Sequence, residues 1–377
     1  MRAALLACLI ASATAAMADP STDAALNAAA GLREAVSALN AAQTRSDRIA
    51  ALTTTITAYE EGLSALRGGL RRAAIREQEI EAGFTRKRAE LGRLLGMMST
   101  MQQSEGPLLL LHPAGALGSA RSGMVMGSIA PALQDEAEKM RASLEEIAAL
   151  RAVQGNAEQV LEEGLASVQA ARTSLSQAIS ERTDLPRRYL EDPEELRSLV
   201  DSAKTLDEFA TGMAGIDSDI GPPLADFDGA KGSLPMPVLG KVLRKFNEAD
   251  AAGIRRPGLV VATAPSALVT APWPATIRYR GPLLDYGNVM ILEPARGYLL
   301  VLAGLGTVYG EVGDVLAAGA PVGLMSGAEP AAQEFGAEFV RAALKGGSAD
   351  RTETLYMELR KGKTPVDPAE WFIQTKD

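Results

Sequence analysis

The chain has 377 residues, with 38 basic against 47 acidic side chains and a net charge of −9. That balance argues against a nucleic-acid partner, which would call for a basic footprint. One cysteine and one histidine in the whole sequence exclude an intrachain disulfide and a metal cage built on thiolates or several imidazoles.

Residues 1–18, MRAALLACLIASATAAMA, carry one positive charge at Arg2, a short apolar run and a small-residue site at Ala16, Met17 and Ala18. This pattern predicts a secretory signal peptide cut before Asp19. The competing reading is a membrane anchor, for which the apolar run is well short of the roughly 20 residues needed to span a bilayer. Cys8 faintly suggests a lipoprotein site, but little apolar sequence precedes it, and it reads as filler of the signal. The expected compartment is the periplasm.

From Ile49 apolar residues hold one seven-residue frame through Leu52, Ile56, Tyr59, Leu63, Leu66, Leu70, Ala73, Ile80, Phe84, Leu91, Leu94, Met98 and Met101, interrupted at Glu77 and Lys87. No proline falls inside it, so the segment predicts a coiled-coil helix roughly 80 Å long. Leu32, Val36 and Leu39 extend it in a shifted frame. Residues 106–119, GPLLLLHPAGALGS, break the helix with prolines and glycines. A second frame follows through Leu133, Ala137, Met140, Leu144, Ile147, Leu161, Leu165, Val168, Leu175 and Ile179. Two long frames around a loop predict an antiparallel hairpin over 19–185, with an intermolecular coiled coil as the alternative. Leu108, Leu109, Leu110, Leu111, Pro113, Met124, Met126 and Ile129 cluster at the break and the turn after it. They read either as a docking surface or as a cap on the coil end. His112, beside Pro113, is one ligand and cannot make a metal site alone.

Asp192 and Pro193 mark a helix start. An amphipathic helix is expected after them, with Leu196, Leu199, Val200, Leu206, Phe209 and Met213 on one side, in a segment spanning 186–216. Residues 217–235 read as a linker, being rich in glycine, proline and aspartate without a period. Beyond 235, short β-rich runs at 259–263, 275–279, 289–292, 298–302 and 355–359 alternate with Gly and Pro turns, predicting a compact antiparallel β domain over 236–377. The fold class is therefore α+β, a long helical hairpin followed by a small β domain.

Residues 281–325 contain a tyrosine-glycine turn at Tyr286 and Gly287, a valine-glycine-aspartate turn at Val312, Gly313 and Asp314, and a small-residue turn at 317–320 before a glycine strand. The ending LYMELRKGKTPVDPAEWF occupies 355–372. In that order these motifs resemble LytM-type zinc endopeptidases of peptidoglycan, which implies a duplicated hybrid motif-like sheet across roughly 236–372. Active members hold zinc with a His-x-x-x-Asp pair and the second histidine of a His-x-His pair. Here Arg256 and Val260 stand for the first pair, Gly304 for a central-strand histidine, and Thr354 and Tyr356 for the final pair. Neither guanidinium nor valine nor glycine can donate to zinc. The resemblance thus implies no catalytic residues, no metal and no cofactor.

Signal peptide, helical hairpin, linker and ligand-less LytM domain together resemble EnvC-type murein hydrolase activators. That resemblance implies a non-enzymatic activator of periplasmic N-acetylmuramoyl-L-alanine amidases at the division septum. The vacated face would bind the amidase, the hairpin would dock on an FtsEX-like inner-membrane complex, and a helix would cover the groove at rest. Strand alternation puts Thr354, Tyr356, Glu358 and Arg360 on the groove face and Leu355, Met357 and Leu359 opposite. Tyr356 could instead fill the space of the metal, with Arg360 a solvated rim charge. Likewise the 192–213 helix could pack on the hairpin rather than restrain the groove. The alternative functions are a structural or peptidoglycan-binding protein with no activator role, and a metallopeptidase that the missing ligands disfavour.

Overall fold

The long apolar frames do become helices. In a computed structural model, which describes residues 44–102, 115–182, 193–216, 226–249, 253–327 and 353–373 with isolated residues 31, 34, 37, 38, 40–42 and 185, α1 spans Arg45–Gln102 and α2 spans Gly115–Ser180. The signal-peptide reading of 1–18, the extension through Leu32, Val36 and Leu39, and the loop residues Leu108, Leu109, Leu110, Leu111, His112 and Pro113 lie outside the described residues. Through Ile80 the α1 frame is correct, because its members are buried or half-buried.

In α2 the early frame is displaced. Leu144 is 53% exposed and Ala137 is exposed, whereas Glu136, Met140, Ser143 and Ile147 form the less accessible stripe. Leu165, Val168 and Leu175 are buried as expected. A second correction concerns the break, since Gly115 to Ser119 are already helical and Met124, Met126 and Ile129 sit in α2 rather than in a turn. Glycine costs a helix only about 1 kcal/mol relative to alanine, so glycines alone do not end one. Among those three residues the structure describes the side-chain exposure of Met124, at 78%.

Ion pairs link α1 to α2 in antiparallel order: Glu60 with Arg172, Arg76 with Glu146, and Lys87 with Glu136. Most are exposed and contribute little each. Glu60 and Arg172 differ, with side chains 10% and 4% accessible, and Glu60 also accepts from the backbone N–H of Leu268 at 3.0 Å.

The chain divides into two units. The described residues 66–102 and 115–161 form one. The other holds the remaining described residues of α1 and α2 together with the described residues of the β domain.

The predicted amphipathic helix is two helices, α3 (Pro193–Ser202) and α4 (Leu206–Met213). Thr205 caps α4 by accepting from Glu208 N–H at 3.1 Å, while Glu208 accepts from Lys204 N–H at 2.8 Å. That reciprocal cap starts a new helix. Asp192 and residues 217–225 of the linker lie outside the described residues. The rest of the expected linker is not a linker: Phe227, Ala230 and Leu234 are buried, with Phe227 stacked 4.7 Å from Trp371.

The β domain is an antiparallel sheet of ten strands among the described residues: β1 (Gly240–Arg244), β2 (Leu259–Thr263), β3 (Leu268–Thr270), β4 (Ala275–Pro282), β5 (Asn288–Glu293), β6 (Tyr298–Val308), β7 (Val315–Leu316), β8 (Pro321–Met325), β9 (Glu353–Lys361) and β10 (Thr364–Val366). The main order is β1-β2-β9-β6-β5-β4-β7, with β10 on β9 and β8 on β3 and β6. All five predicted runs are strands. The three predicted turns also form, with Gly287, Gly313 and Gly319 at positive φ. One face packs Leu259, Val261, Leu300, Leu302, Leu355, Met357 and Leu359 around the aromatic group of Phe227, Tyr298 and Trp371. The opposite face carries the candidate site.

Candidate functional site

The register of three neighbouring strands assembles the site. Val260 on β2 pairs with Tyr356 on β9, which pairs in turn with Ala303 on β6. Gly304 and Thr354 adjoin that rung, and a Cβ built on Gly304 would lie 2.5 Å from the Thr354 carbonyl oxygen. Gly304 has φ +99°, a conformation in which side chains are strained. Four of the five residues set against the LytM motif, from segments far apart in sequence, are thereby brought together. Arg256, the fifth, is exposed ahead of β2, close enough for its charge to bear on the Tyr356 phenol.

Alternation along β9 is as expected, with Leu355, Met357 and Leu359 in the core and Tyr356 on the other face. The exposure of that face is not. Thr354 is exposed and Tyr356 half-buried, but Glu358 and Arg360 are each 1% exposed. Arg360 is therefore not a solvated rim charge. Its guanidinium donates to Glu358, to Asp207 Oδ1 at 2.9 Å, to Thr211 Oγ1 at 2.7 Å and to the Lys363 carbonyl at 2.7 Å. Asp207 and Thr211 belong to α4, so one β9 arginine ties helix to sheet.

Tyr356 donates to Glu358 Oε2 at 2.6 Å. Its ring lies on the backbone of Gly258, where a Cβ would come within 2.7 Å of ring atoms. Burial, and then the Glu358 charge, push the phenol pKa well above its ordinary value, so it remains a donor. Burial likewise raises Glu358, offset in part by Tyr356 and Arg360.

Helix α4 lies on this face. Leu206, Phe209, Ala210 and Met213 are at most 3% exposed and pack with Tyr279, Leu283, Val289, Ile291, Leu299, Val301 and Ala303. Phe209 meets the Tyr279 ring edge-on at 4.7 Å. From α3, Leu196, Leu199 and Val200 pack at the margin of the same cluster, as does Tyr356. All six apolar residues expected on the helix are thus on one sheet face, and that face is the one bearing Tyr356. Beyond the C-terminal end of α4, Ile216 O accepts from Arg278 at 3.4 Å, and Arg278 forms a buried pair with Glu293. A cleft of about 310 Å³ opens there.

Sequence reasoning missed Asp207, Thr211, Arg278 and Glu293. The first two were legible, being four apart and hence on one helical face. The Arg278–Glu293 pair depends on strand register, which composition does not reveal. As a metal site the rung does not fit zinc: Val260 and Gly304 offer no donor, a guanidinium no free lone pair, and Tyr356 and Thr354 too few ligands.

The class so defined is an α+β protein whose antiparallel sheet carries a helix-covered face without a zinc-ligand set. No family model matches the chain. It is 27% identical over 146 residues to an uncharacterized protein of Neisseria meningitidis serogroup B, a match covering 39% of this chain and 21% of that protein. Among solved structures it is similar to Helicobacter pylori Csd3 (18% identity, 38% of this chain, 35% of that chain, TM-score 0.28). A zinc containing peptidase from Vibrio cholerae matches at 15% identity over 38% of this chain and 41% of that one, TM-score 0.29. The chain spans about a fifth of the Neisseria relative and well under half of either structure.

Proposed function

We propose that this chain is a non-catalytic activator of peptidoglycan amidases, acting from the periplasm after export. In this reading the sheet face around Val260, Gly304, Thr354 and Tyr356 binds the amidase, and α3 and α4 restrain it. The observation that carries it is the position of α4, whose apolar side and Arg360 clamp occupy the face where the LytM resemblance places the ancestral active site. The motif order at 281–325 and 355–372 supports the LytM reading. The paired helices α1 and α2 form the coiled-coil hairpin, and its end around Met124 docks on an FtsEX-like membrane complex at the septum.

Displacement of α4 exposes Leu299, Val301, Ala303 and the Arg360 guanidinium together, an apolar strip with one directional cation. Such a surface suits an amphipathic segment of the amidase better than a glycan. The test is reconstitution of the purified chain with a periplasmic N-acetylmuramoyl-L-alanine amidase on isolated peptidoglycan. The chain alone should release nothing and should stimulate the amidase, and Phe209→Ala should stimulate more than wild type. Sedimentation with peptidoglycan without stimulation would favour a wall-binding protein, and chelator-sensitive cleavage by the chain alone would show a peptidase.

A further inference from the structure

The turn joining β4 to β5 carries a leucine in a conformation that leucine avoids. Leu284 has φ +49° and is 51% exposed. The left-handed region crowds the Cβ of any side chain, and a bulky apolar one gains nothing there by local hydrogen bonding. Two other non-glycine residues among those described share the region, Asn247 and Ser266. Both are short and polar, and Ser266 Oγ donates to Gly327 O at 2.9 Å. Leu284 has no such compensation within its own side chain, and glycine or asparagine in its place would relieve the strain. Strain kept at an exposed apolar residue points to a contact outside the chain.

The turn is built into the face that α4 covers. Tyr279, whose ring meets Phe209 of α4, donates from its hydroxyl to Pro282 O at 2.8 Å. Leu283 is 2% exposed within the cluster beneath α4, and Tyr286 packs at its margin. Leu283 N–H donates to Gly287 O at 3.0 Å and Tyr286 N–H to Leu283 O at 3.1 Å, closing the turn on itself. The Asn288 amide donates to the carbonyls of Leu305 and Gly306 at 3.2 and 3.0 Å, and a Cβ on Gly287 would lie 3.9 Å from the Gly304 α-carbon. Leu284 is thus fixed at the lip of that face and exposed while α4 is in place.

We infer that Leu284 is an apolar anchor for the partner that takes the α4-covered face, contacted while the helix is still seated. The inference rests on the amidase-activator reading and names the residue through which the amidase first engages. Continuity decides the occupant: one turn sends Leu283 into the apolar cluster under α4 and Leu284 out beside it, so a segment replacing α4 reaches both. That segment is apolar where it meets Leu284.

The test titrates the full chain against a purified periplasmic N-acetylmuramoyl-L-alanine amidase on isolated peptidoglycan, comparing wild type, Leu284→Asn and Leu284→Met. Asparagine tolerates the left-handed region but offers no apolar contact, whereas methionine keeps both contact and strain. Leu284→Asn should raise the half-stimulating concentration at least about tenfold, a difference of about 1.4 kcal/mol, with maximal stimulation unchanged. Leu284→Met should stay within about threefold of wild type. The thermal midpoint of Leu284→Asn should equal that of wild type or exceed it by up to about 4 °C, so that function falls while stability holds. Equal half-stimulating concentrations for wild type and Leu284→Asn, a fall in maximal stimulation alone, a lowered midpoint, or a wild-type dimer that Leu284→Asn dissolves would each overturn the inference and leave the activator reading standing. No stimulation by wild type would overturn both.

Discussion

Replacing Phe209 by alanine asks whether α4 is a detachable cover or part of the core. Phe209 is fully buried and meets Tyr279 at 4.7 Å. Truncation of such a ring costs about 3–5 kcal/mol. If α4 lifts off an otherwise intact sheet, the whole cost falls on the covered state. At about 1.4 kcal/mol per tenfold, the uncovered population then rises on the order of a hundredfold or more. Hydrogen exchange resolved by segment reads this directly. Amides of 206–213 should exchange faster by that factor, while those of β6 and β9 facing the Trp371 core keep their rates. Equal acceleration of α4, β6 and β9 would refute the reasoning, because the helix would then open only with the domain.

The polar clamp gives a graded pair of outcomes in urea denaturation. Arg360→Met strips the cation from a carboxylate that is 1% exposed and should cost about 3–5 kcal/mol, whereas Asp207→Ala, at a side chain 60% exposed, should cost less than about 1 kcal/mol. Burial raises the folded-state pKa of Glu358, so its contribution to stability is full below the unfolded value of about 4.3 and is lost as pH rises through the folded value. Stability should therefore increase on acidification from neutral pH toward that value. Glu358→Gln should flatten the trend, the wild-type difference separating it from Glu61, which burial also raises. Glu60→Ala removes the carboxylate that accepts from Arg172 and Leu268 and should cost about 3 kcal/mol by thermal melting. Gly304→Ala sets a Cβ against the Thr354 carbonyl at positive φ and should destabilise the β domain by more than about 2 kcal/mol, read from the urea midpoint.

Much of the β domain was legible because its strands announce themselves twice, by β-branched runs and by glycines at obligatory turns. The strands at 259–263 and 355–359 and the turns at 287, 313 and 319 fall where the residues place them. Shorter strands were not, since β7 has two residues and β3 three, too few for any period to register. The split at Thr205 was written as a capping pair but masked by apolar spacing that runs smoothly through it. Phe227 and Leu234 were hidden inside a glycine- and proline-rich stretch whose composition describes a coil and says nothing of where two large side chains go. The site was half legible. Motif order located the rung of Val260, Gly304, Thr354 and Tyr356, and alternation gave the correct face. What covers that face is a tertiary fact, and it turned Glu358 and Arg360 from expected surface residues into buried ones.

The backbone at Gly304 limits how the candidate site can change. Val260, Thr354 and Tyr356 beside it sit on ordinary strand backbone, where one side chain can replace another. Gly304 is different, for a Cβ there would lie 2.5 Å from Thr354 O and any side chain must first reshape the junction of β6 and β9. That single contact works as a pin, leaving the neighbouring side chains open to exchange while the rung's backbone at this point admits glycine alone.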